Sequence, residues 1–331
     1  MKVLVTGALG NIGQATLEAL VAHGHRVTAF DAPSRRNRRA ARRFRRDVRL
    51  LWGDIRDPQA LAAAVEGQDA VVHLAFVIPR LSATGQGSED APEQARAINV
   101  GGTRNLIAAL EAQPRPPRLL FTSSLHIYGP TQHLPPPRRV TDPPNPMEHY
   151  SRHKVEAEAL VRASSLRWSI FRLAAALPVS LILDAGMFDV PLNNRIEFVH
   201  RKDVAQAIAH AIVSEDVWGK ILHIGGGARC QFYYREIARR ILETVGIGML
   251  PEAAFSRAPY PVDWLDTEES ERLLHFQQRT LDDYLEDLRR LMGWRLPLVR
   301  LFRPWVRWYL LRRSPHLDRR AAWRLAWQPT G

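Results

Sequence analysis

Apolar and polar positions repeat one unit through the first 173 residues of the chain, a short apolar run followed by a stretch of helical composition. The apolar runs predict strands at residues 2–5, 27–30, 48–51, 70–75, 119–124 and 169–173. The stretches between them predict helices at 14–22, 58–65 and 94–112, and a further helix that begins near residue 148. Such alternation is typical of an α/β fold with a doubly wound parallel sheet and helices on both faces.

The first predicted strand runs into a glycine turn. The residues Thr6-Gly7-Ala8-Leu9-Gly10-Asn11-Ile12-Gly13 stand between that strand and the first predicted helix. Gly7 allows a tight turn, Gly10 lets the backbone approach a pyrophosphate, and Gly13 lets the helix pack closely against the strand. The free N–H groups at the helix N-terminus attract phosphates. The alternative is an ordinary structural glycine turn of an unrelated α/β protein. Because this turn lies between a strand and a helix, its spacing predicts a dinucleotide-binding site.

An acidic residue closes the second predicted strand. Asp31 is placed to accept hydrogen bonds from the two hydroxyls of an adenosine ribose. A carboxylate there repels the 2′-phosphate of NADP, so we predict NAD as the cofactor. Arginines at positions 35, 36, 38 and 39 keep NADP open as the alternative, because they would pair with that phosphate if the segment folded back. Asp54, after the third strand, either caps a turn or reaches the adenine amino group.

Three side chains form a candidate catalytic group. Tyr150 and Lys154 are four residues apart, so they share one face of the helix predicted from residue 148. A tyrosine pKa near ~10 is too high for acid–base work at neutral pH, and a nearby ammonium lowers it by favouring the phenolate. Ser124 ends the fifth strand, where open α/β sheets bind ligands, and is placed to hold a substrate oxygen beside Tyr150. A Tyr/Lys pair alone is common on solvated helices, but with the glycine turn, Asp31 and Ser124 it predicts acid–base catalysis of hydride transfer.

Taken together, these residues resemble the NAD-dependent epimerase/dehydratase family of extended short-chain dehydrogenases/reductases. The resemblance runs from residue 2 to about residue 288. Its motifs in this chain are T-G-A-L-G-N-I-G at 6–13, G-D-I-R-D at 53–57, H-L-A at 73–75, N-V-G-G-T at 99–103, S-S-L-H-I-Y-G at 123–129, Y-S-R-H-K at 150–154 and F-V-H-R-K-D-V-A at 198–205.

The resemblance implies a Rossmann-type sheet, an NAD(P)-dependent enzyme, and catalysis by Ser124, Tyr150 and Lys154. Tyr150 is then the acid and base, while Lys154 binds the nicotinamide ribose and lowers the Tyr150 pKa. The cofactor-binding residues that it implies, besides Tyr150 and Lys154, are Gly7, Gly10, Asn11, Ile12, Gly13, Asp31, Asp54, Ile55, Leu74, Ala75 and Asn99. An Asn inside a helix is mildly unfavourable, which also favours a polar role for Asn99. We predict no metal site.

The stretch after the sixth strand departs from the nucleotide-sugar enzymes of that family. Those enzymes usually carry P-x-N-V-Y-G-P here, whereas this chain reads Leu173-Ala174-Ala175-Ala176-Leu177-Pro178. A ketone or hydroxysteroid-like substrate therefore stands beside a nucleotide sugar, and epimerisation, dehydration and simple reduction all stay open. A non-catalytic NAD(P)-sensing regulator is the alternative from another functional class.

We expect three segments along the chain. Residues 1–172 form the NAD(P)-binding domain, and 173–288 form mainly a small C-terminal α/β substrate domain, with some elements returning to the sheet. Residues 289–331 form a basic tail rich in Trp and Arg. Short strands at 198–200 and 221–225 and helices at 203–213 and 232–245 are predicted within the middle segment.

The formal net charge of +12 is concentrated in two places. Residues 35–49 hold nine arginines, for which we favour a solvated loop, and residues 289–324 hold eleven with a single acid, Asp318. Arginines interleaved with tryptophans, as in the tail, are typical of contact with a membrane surface, or else of helices packed on the body or on a second subunit. No motif for binding DNA or RNA supports a specific nucleic-acid partner.

Composition also bears on location and partners. The single cysteine, Cys230, excludes an intramolecular disulfide and fits a reducing compartment. No signal peptide and no membrane-length apolar run is visible, so we predict a cytoplasmic protein, with peripheral contact at the inner membrane face left open. A small-molecule substrate is the expected partner, and the family resemblance adds a homodimer through the helix that carries Tyr150.

Overall fold

The computed structural model describes residues 1–79, 87–180 and 185–327. Its strands are β1 (Lys2–Thr6), β2 (Arg26–Asp31), β3 (Val48–Trp52), β4 (Ala70–His73), β5 (Arg118–Ser124), β6 (Trp168–Leu173), β7 (Arg195–Glu197), β8 (Ile221–Ile224) and β9 (Gln231–Tyr233). Seven of them form one sheet in the order β3-β2-β1-β4-β5-β6-β8, and every pair in it is parallel. This confirms the predicted doubly wound parallel sheet.

The helices connect these strands and continue beyond them. They are α1 (Asn11–Ala22), α2 (Arg35–Ala41), α3 (Pro58–Val65), α4 (Pro92–Arg96), α5 (Gly102–Glu111), α6 (His149–Ala163), α7 (Arg201–Ala211), α8 (Tyr234–Thr244), α9 (Glu268–Leu274), α10 (Leu281–Met292), α11 (Arg295–Leu301), α12 (Arg303–Leu311) and α13 (Arg319–Ala326). A π-helical turn, Ala97–Gly101, joins α4 to α5.

Two apolar layers enclose the sheet. Alternate residues of β1 point to opposite faces, so Val3 and Val5 join the layer under α1 and α7, while Leu4 joins the layer under α3, α5 and α6. Leu4 is fully buried, as are Val3 and Val5, because both faces of the central strands are covered. Strands buried on both sides are expected to be continuously apolar, which is how the sequence reads.

The strand order reverses between β1 and β4, because β2 and β3 lie on one side of β1 and β4, β5, β6 and β8 on the other. In open α/β sheets the crevice at the carboxyl ends of the strands at such a reversal is where ligands bind. The glycine turn follows β1, and Leu74-Ala75 follows β4. The fold therefore brings these two segments to the same crevice.

The segment after β6 is mainly helical. Its strands β7 and β9 form a separate two-stranded antiparallel ribbon, while β8 returns to the main sheet beside β6. Helices α8 and α10 pack together, and α11, α12 and α13 follow as the tail. Among residues 1–79, 87–180 and 185–327, none of the helices combines the length and apolar character needed to cross a membrane. Residues 328–331 of the predicted tail lie outside the described residues.

Three sequence predictions need correction. The arginine-rich segment predicted as a loop contains α2, which begins because the Ser34 hydroxyl accepts a 3.1 Å hydrogen bond from Asn37 N. The helix predicted over 94–112 is interrupted by the π-helical turn. The strand predicted at 198–200 lies three residues earlier, at Arg195–Glu197, and Phe198 makes only an isolated bridge to Ala175.

Candidate active site

The glycine turn after β1 is shaped by close backbone contacts. Gly7 has a φ of 64°, and a Cβ there would lie 2.6 Å from the backbone N of Ala75. A Cβ on Gly13 would lie 2.4 Å from the carbonyl oxygen of Gly7, which is why α1 can pack so close to the turn. Gly7 and Gly13 are therefore required by the fold itself.

Gly10 is different, because a Cβ there would approach only the Gly7 carbonyl oxygen, at 3.3 Å. The other side of Gly10 is open, as a backbone that approaches a pyrophosphate must be. Gly10 also caps α1 without any side-chain hydrogen bond, so the first-turn N–H groups are available to an anion. These features fit the diphosphate of a dinucleotide.

The two residues that open α1 have different surroundings. The Asn11 side-chain amide donates a 3.2 Å hydrogen bond to the carbonyl oxygen of Ala176, in the segment that follows β6. Ile12 is partly buried against the apolar layer under α1. Asn11 therefore links the glycine turn to the segment in which the chain departs from nucleotide-sugar enzymes.

Asp31 ties the glycine turn to the end of β2. Its Oδ2 accepts a 2.8 Å hydrogen bond from Leu9 N, and its Oδ1 accepts from Ala32 N at 2.8 Å and from Asn37 Nδ2 at 2.9 Å. Burial raises the pKa of Asp31, and the hydrogen bonds from Leu9 and Ala32 oppose that rise. Asn37 belongs to α2, so the arginine-rich helix is held beside the carboxylate predicted to select NAD.

The segment after β3 places its two predicted cofactor residues differently. Asp54 forms an ion pair with Arg56 at 2.5 Å on the surface, and this arginine lowers the Asp54 pKa. Ile55 is buried, and a Cβ on Gly102 would lie 2.5 Å from Ile55 Cγ2. Ile55 thus seats the start of α5, while the Asp54 side chain is accessible.

A buried chain of hydrogen bonds runs beneath the crevice. Thr6 Oγ1 lies 2.7 Å from His73 Nδ1, and His73 Nε2 lies 3.0 Å from Thr103 Oγ1. Thr103 Oγ1 in turn donates to the carbonyl oxygen of Asn99 at 2.5 Å. Burial lowers the His73 pKa to about 3, so this imidazole is neutral. It fixes the end of β4, from which Leu74 and Ala75 enter the crevice.

Asn99 lies in the π-helical turn and is fully buried. Its Oδ1 accepts a 2.6 Å hydrogen bond from Val77 N, and its Nδ2 donates to the carbonyl oxygen of Val77 at 3.0 Å. The same amide lies 3.4 Å from Nδ1 of His153. The amide of Asn99 therefore uses its polar atoms to bind the backbone of Val77, and so holds the segment that follows β4.

The helix α6 begins at the crevice because acidic residues satisfy its N-terminus. Glu148 and Ser151 form a capping box, and the carboxylate of Glu89 accepts hydrogen bonds from His149 N at 3.1 Å and Tyr150 N at 2.9 Å. The helix is held further along by Arg172, whose guanidinium forms a buried 2.8 Å ion pair with Glu158. These contacts set the position of Tyr150 and Lys154.

The structure brings Ser124, Tyr150 and Lys154 together at the carboxyl end of β5. The Ser124 hydroxyl lies near the Tyr150 hydroxyl and favours its phenolate form, and Ser124 Oγ accepts a 3.3 Å hydrogen bond from His126 N. Lys154 is buried, and its Nζ donates a 2.6 Å hydrogen bond to the carbonyl oxygen of Thr122. The cluster thus offers two hydroxyl groups and an ammonium within one small region.

The predicted lowering of the Tyr150 pKa is not found. Burial raises the pKa of Tyr150 to about 12, although the nearby Ser124 hydroxyl opposes the rise. Lys154 Nζ lies 5.8 Å from the Tyr150 ring centroid, and burial lowers its own pKa to about 7, so it is only partly charged at neutral pH. The prediction considered the ammonium alone, whereas burial, which disfavours every charged form, is the larger effect.

Three further residues border this cluster, and their positions were not predicted. The Phe76 ring centroid lies 3.5 Å from Lys154 Nζ and 5.8 Å from the Tyr150 ring centroid. His126 stands edge-on to Tyr150, with ring centroids 5.8 Å apart, and its Nδ1 lies 3.0 Å from Glu148 Oε2. The only sequence signal was position, because His126 lies two residues after Ser124 and Glu148 two before Tyr150.

Residues 3–178 match the family described as "NAD dependent epimerase/dehydratase family". That stretch contains the glycine turn, Ser124, Tyr150 and Lys154, so the match confirms the resemblance drawn from the motifs. The dependence on NAD in the family description agrees with the predicted cofactor.

Individual relatives include dehydrogenases. The chain is 34% identical over 171 residues to L-arabinose 1-dehydrogenase (NAD(P)(+)) of Haloferax volcanii, a match covering 48% of this chain and 59% of that protein. It is 33% identical over 172 residues to 3 beta-hydroxysteroid dehydrogenase/Delta 5-->4-isomerase of Mycobacterium tuberculosis, covering 50% and 43% of the two chains. The chain thus spans about half the length of these curated relatives.

Solved structures share the fold. UDP-glucuronic acid 4-epimerase from Bacillus cereus, in complex with UDP-glucuronic acid and NAD, superposes with a TM-score of 0.72 at 19% identity. The alignment covers 88% of this chain and 100% of that one. At 19% identity this likeness concerns the fold alone. The alignment extends well beyond residue 178.

Proposed function

Because the chain belongs to the NAD-dependent epimerase/dehydratase family, we propose that it is an oxidoreductase that moves a hydride between NAD and a substrate carbon bearing a hydroxyl or carbonyl oxygen. NAD, when bound, supplies the nicotinamide that accepts or donates the hydride. Residues 1–172 hold the cofactor, residues 173–288 supply most of the substrate pocket, and 289–331 form an additional tail.

One observation carries this proposal, the convergence of the Ser124 and Tyr150 hydroxyls and the Lys154 ammonium at the carboxyl end of β5. A substrate oxygen that reaches both hydroxyls is held by Ser124 and exchanges its proton with Tyr150. With a pKa of about 12, Tyr150 carries its proton at neutral pH and is ready to protonate a carbonyl oxygen as it receives the hydride. In the reverse direction the phenolate removes the hydroxyl proton as the hydride leaves.

The remaining predicted site residues take supporting roles. Lys154 holds the nicotinamide ribose, Asp31 accepts from the adenosine ribose, and Asp54 meets the adenine. Gly7, Gly10, Asn11, Ile12 and Gly13 accommodate the pyrophosphate, and Leu74 and Ala75 line its crevice. Asn99 acts through Val77, so it positions the crevice rather than touching the cofactor. Ile55 acts in the same indirect way, through α5.

We favour a small or apolar alcohol or carbonyl as the substrate. After β6, Ala175 is paired with Phe198 and the Asn11 amide donates to the carbonyl oxygen of Ala176, so this segment lies beside the glycine turn. The segment provides three alanines where a nucleotide-sugar enzyme has polar side chains for the diphosphate. Phe188 and Leu192 are buried and Met187 is partly buried, so the next part of the chain is apolar.

Two alternatives are separable by experiment. A nucleotide-sugar epimerase or dehydratase would turn over UDP-sugars with bound NAD and no net change in absorbance at 340 nm. A NAD(P)-sensing regulator would bind the cofactor without turning over any substrate. The proximity of Ser124 to Tyr150 and the burial of Lys154 support the enzyme, because a sensor requires neither.

The test begins with the cofactor. Titration with NADH and with NADPH, followed by nicotinamide fluorescence, should show binding, and the tighter of the two then enters a screen of ketones, aldehydes and UDP-sugars. Turnover of a carbonyl with loss of NADH supports the proposal. Cofactor binding with no turnover of any class would favour the regulator, and the absence of binding would overturn both.

The same proposal includes partners and location. We propose a cytoplasmic protein with peripheral contact at the inner membrane face, and a homodimer through α6. Supporting the location are the single cysteine and the composition of the tail. The dimer rests on the family resemblance and is tested by sedimentation velocity.

A further inference from the structure

We propose that α11, α12 and α13 form a docking surface for a bilayer that contains anionic phospholipids. This surface is called the tail surface below and comprises residues 294–327. It gives a structural basis to the proposed peripheral location and is independent of the hydride-transfer proposal, so each can fail without the other.

The tail surface exposes large apolar side chains that a soluble face would bury. Trp294 and Leu301 are each 71% exposed. Further exposed members, close together in the chain, are Leu298, Phe302, Trp305 and Tyr309, together with Trp323 on α13 and Trp327 directly after it. Isolated exposed apolar residues are ordinary, but a contiguous patch of them marks an interaction site.

The tryptophans of two helices form one cluster. The ring centroid of Trp305, on α12, lies 6.0 Å from that of Trp323 and 5.5 Å from that of Trp327. Trp308 lies 5.7 Å from Trp323. The exposed rings of α12 and α13 therefore belong to a single surface. Trp is the residue most suited to the interface between lipid headgroups and hydrocarbon, since its ring is amphipathic.

Arginines surround this cluster. A cleft of about 490 Å³ is lined by Trp308, Arg312, Arg319, Arg320 and Trp323. The three arginines are exposed, and the Arg312 guanidinium lies 4.8 Å from the Trp308 ring centroid. The cleft thus presents cations beside aromatic walls, which suits a phosphate headgroup whose acyl chains lie against the apolar patch. The one acid of the segment, Asp318, is occupied as the N-cap of α13, accepting from Ala321 N at 2.6 Å.

The opposite side of the tail is fixed to the body of the protein. Arg307 is buried, and its guanidinium donates a 2.8 Å hydrogen bond to the carbonyl oxygen of Met249. Leu310 and Leu311 are fully buried, and Ser314 Oγ donates to the carbonyl oxygen of Ala254 at 2.7 Å. Packing on the body therefore accounts for one face of the tail and leaves the tryptophan face outward. Packing on the body and contact with a membrane thus involve different faces of the tail.

The positive charge and the exposed apolar side chains of the tail surface together indicate which partner it binds. A second copy of the chain would bring its own arginines against Arg312, Arg319 and Arg320, and like charges at an interface are unfavourable. A nucleic-acid duplex would neutralise the arginines, but its bases are stacked inside and its backbone offers no apolar surface for Leu301 and Phe302. An anionic bilayer satisfies both, because lipid phosphates meet the arginines while the hydrocarbon boundary accepts the apolar side chains.

Vesicle sedimentation with the full chain tests this proposal. The protein should sediment with vesicles of phosphatidylcholine mixed with phosphatidylglycerol, and much less with pure phosphatidylcholine, and high salt should weaken the binding. The variant R312Q/R319Q/R320Q should lower the affinity roughly tenfold or more. The control R39Q/R42Q/R45Q removes the same number of exposed charges far along the chain from the tail and should leave binding nearly unchanged.

The apolar component has its own variant, L301S/F302S, whose side chains are exposed, and circular dichroism checks that it folds. It should bind anionic vesicles more weakly, and brominated lipid should quench tryptophan fluorescence only when the protein is bound. Equal loss of binding in R39Q/R42Q/R45Q and R312Q/R319Q/R320Q would overturn the proposal by reducing it to net charge. So would failure to bind anionic vesicles, dissociation of a dimer by the tail variants, or tighter binding to DNA than to vesicles.

Discussion

Lys154 Nζ donates a 2.6 Å hydrogen bond to the carbonyl oxygen of Thr122 and lies 3.5 Å from the centroid of the Phe76 ring. The ammonium therefore has one backbone acceptor and an aromatic face, in a position that burial keeps from water. Its pKa falls from an ordinary 10.5 to about 7 as a result.

That pKa makes the stability of the protein depend on pH. Between about pH 7 and pH 10 the unfolded chain binds more protons at Lys154 than the folded one, so the free energy of unfolding rises with pH in this window. Lys154→Met removes this dependence. The variant should exceed the wild type in stability by up to a few kcal/mol at pH 7, and by less as the pH rises.

Urea unfolding at several pH values measures this difference. Lys2→Met, at an exposed position, serves as the control and should follow the wild type. A constant difference between Lys154→Met and the wild type from pH 7 to pH 10 would contradict the proposed cost of burying the ammonium.

Tyr150→Phe should lower kcat by about two to four orders of magnitude, because it removes the proton exchanged with the substrate oxygen. NADH binding should change little. The measurement is NADH consumption with the best carbonyl from the screen, beside fluorescence titration of the cofactor. Tyr233→Phe, at a tyrosine that is 54% exposed, is the matched control. Full turnover by Tyr150→Phe would remove Tyr150 from the mechanism.

Asp31→Ala should weaken NADH binding more than NADPH binding, because the ribose hydroxyls lose their acceptor while a 2′-phosphate loses a repelling charge. Asn37→Ala is the control, since it removes a 2.9 Å hydrogen bond to Asp31 and keeps the carboxylate. Affinities for both nucleotides should therefore fall together and modestly in Asn37→Ala. If Asp31→Ala instead weakened NADPH more, the α2 arginines would be the selectors.

Gly10→Ala should weaken NADH binding roughly tenfold or more while leaving the melting temperature nearly unchanged, since the added Cβ meets only one atom of the protein, at 3.3 Å. Gly101→Ala is matched to it, because that Cβ meets nothing within 4 Å and the φ of −61° suits alanine. Fluorescence titration and thermal unfolding are measured on both. Tight NADH binding by Gly10→Ala would place the pyrophosphate elsewhere.

Much of the fold was predictable because its signals are local. The apolar run at β1, the spacing of Gly7, Gly10 and Gly13, and the i, i+4 pair Tyr150 and Lys154 can each be recognised within a short window of sequence. The position of the crevice, at the carboxyl ends of the strands, then follows from the rules of parallel sheets.

What the sequence did not predict depends on contacts between distant segments. Phe76 contacts Lys154 from a segment whose backbone Asn99 holds at Val77, and the Tyr150 pKa depends on how deeply Tyr150 is buried. The α2 helix was missed for a different reason. Its seven residues include four arginines and no apolar side chain larger than alanine, so no amphipathic pattern indicates it.

The π-helical turn at Ala97–Gly101 puts the two halves of one long helix out of phase. Asn99 faces Val77, and three residues later Gly102 meets Ile55, although these two neighbours belong to different loops. An unbroken α-helix advances about 100° per residue. Deleting one residue here would therefore allow only one of the two contacts, Asn99 with Val77 or Gly102 with Ile55, to form. The spacing between the Ile55 side and the Val77 side of the crevice is thus encoded in the length of this turn, where insertions and deletions, rather than substitutions, would be the damaging changes.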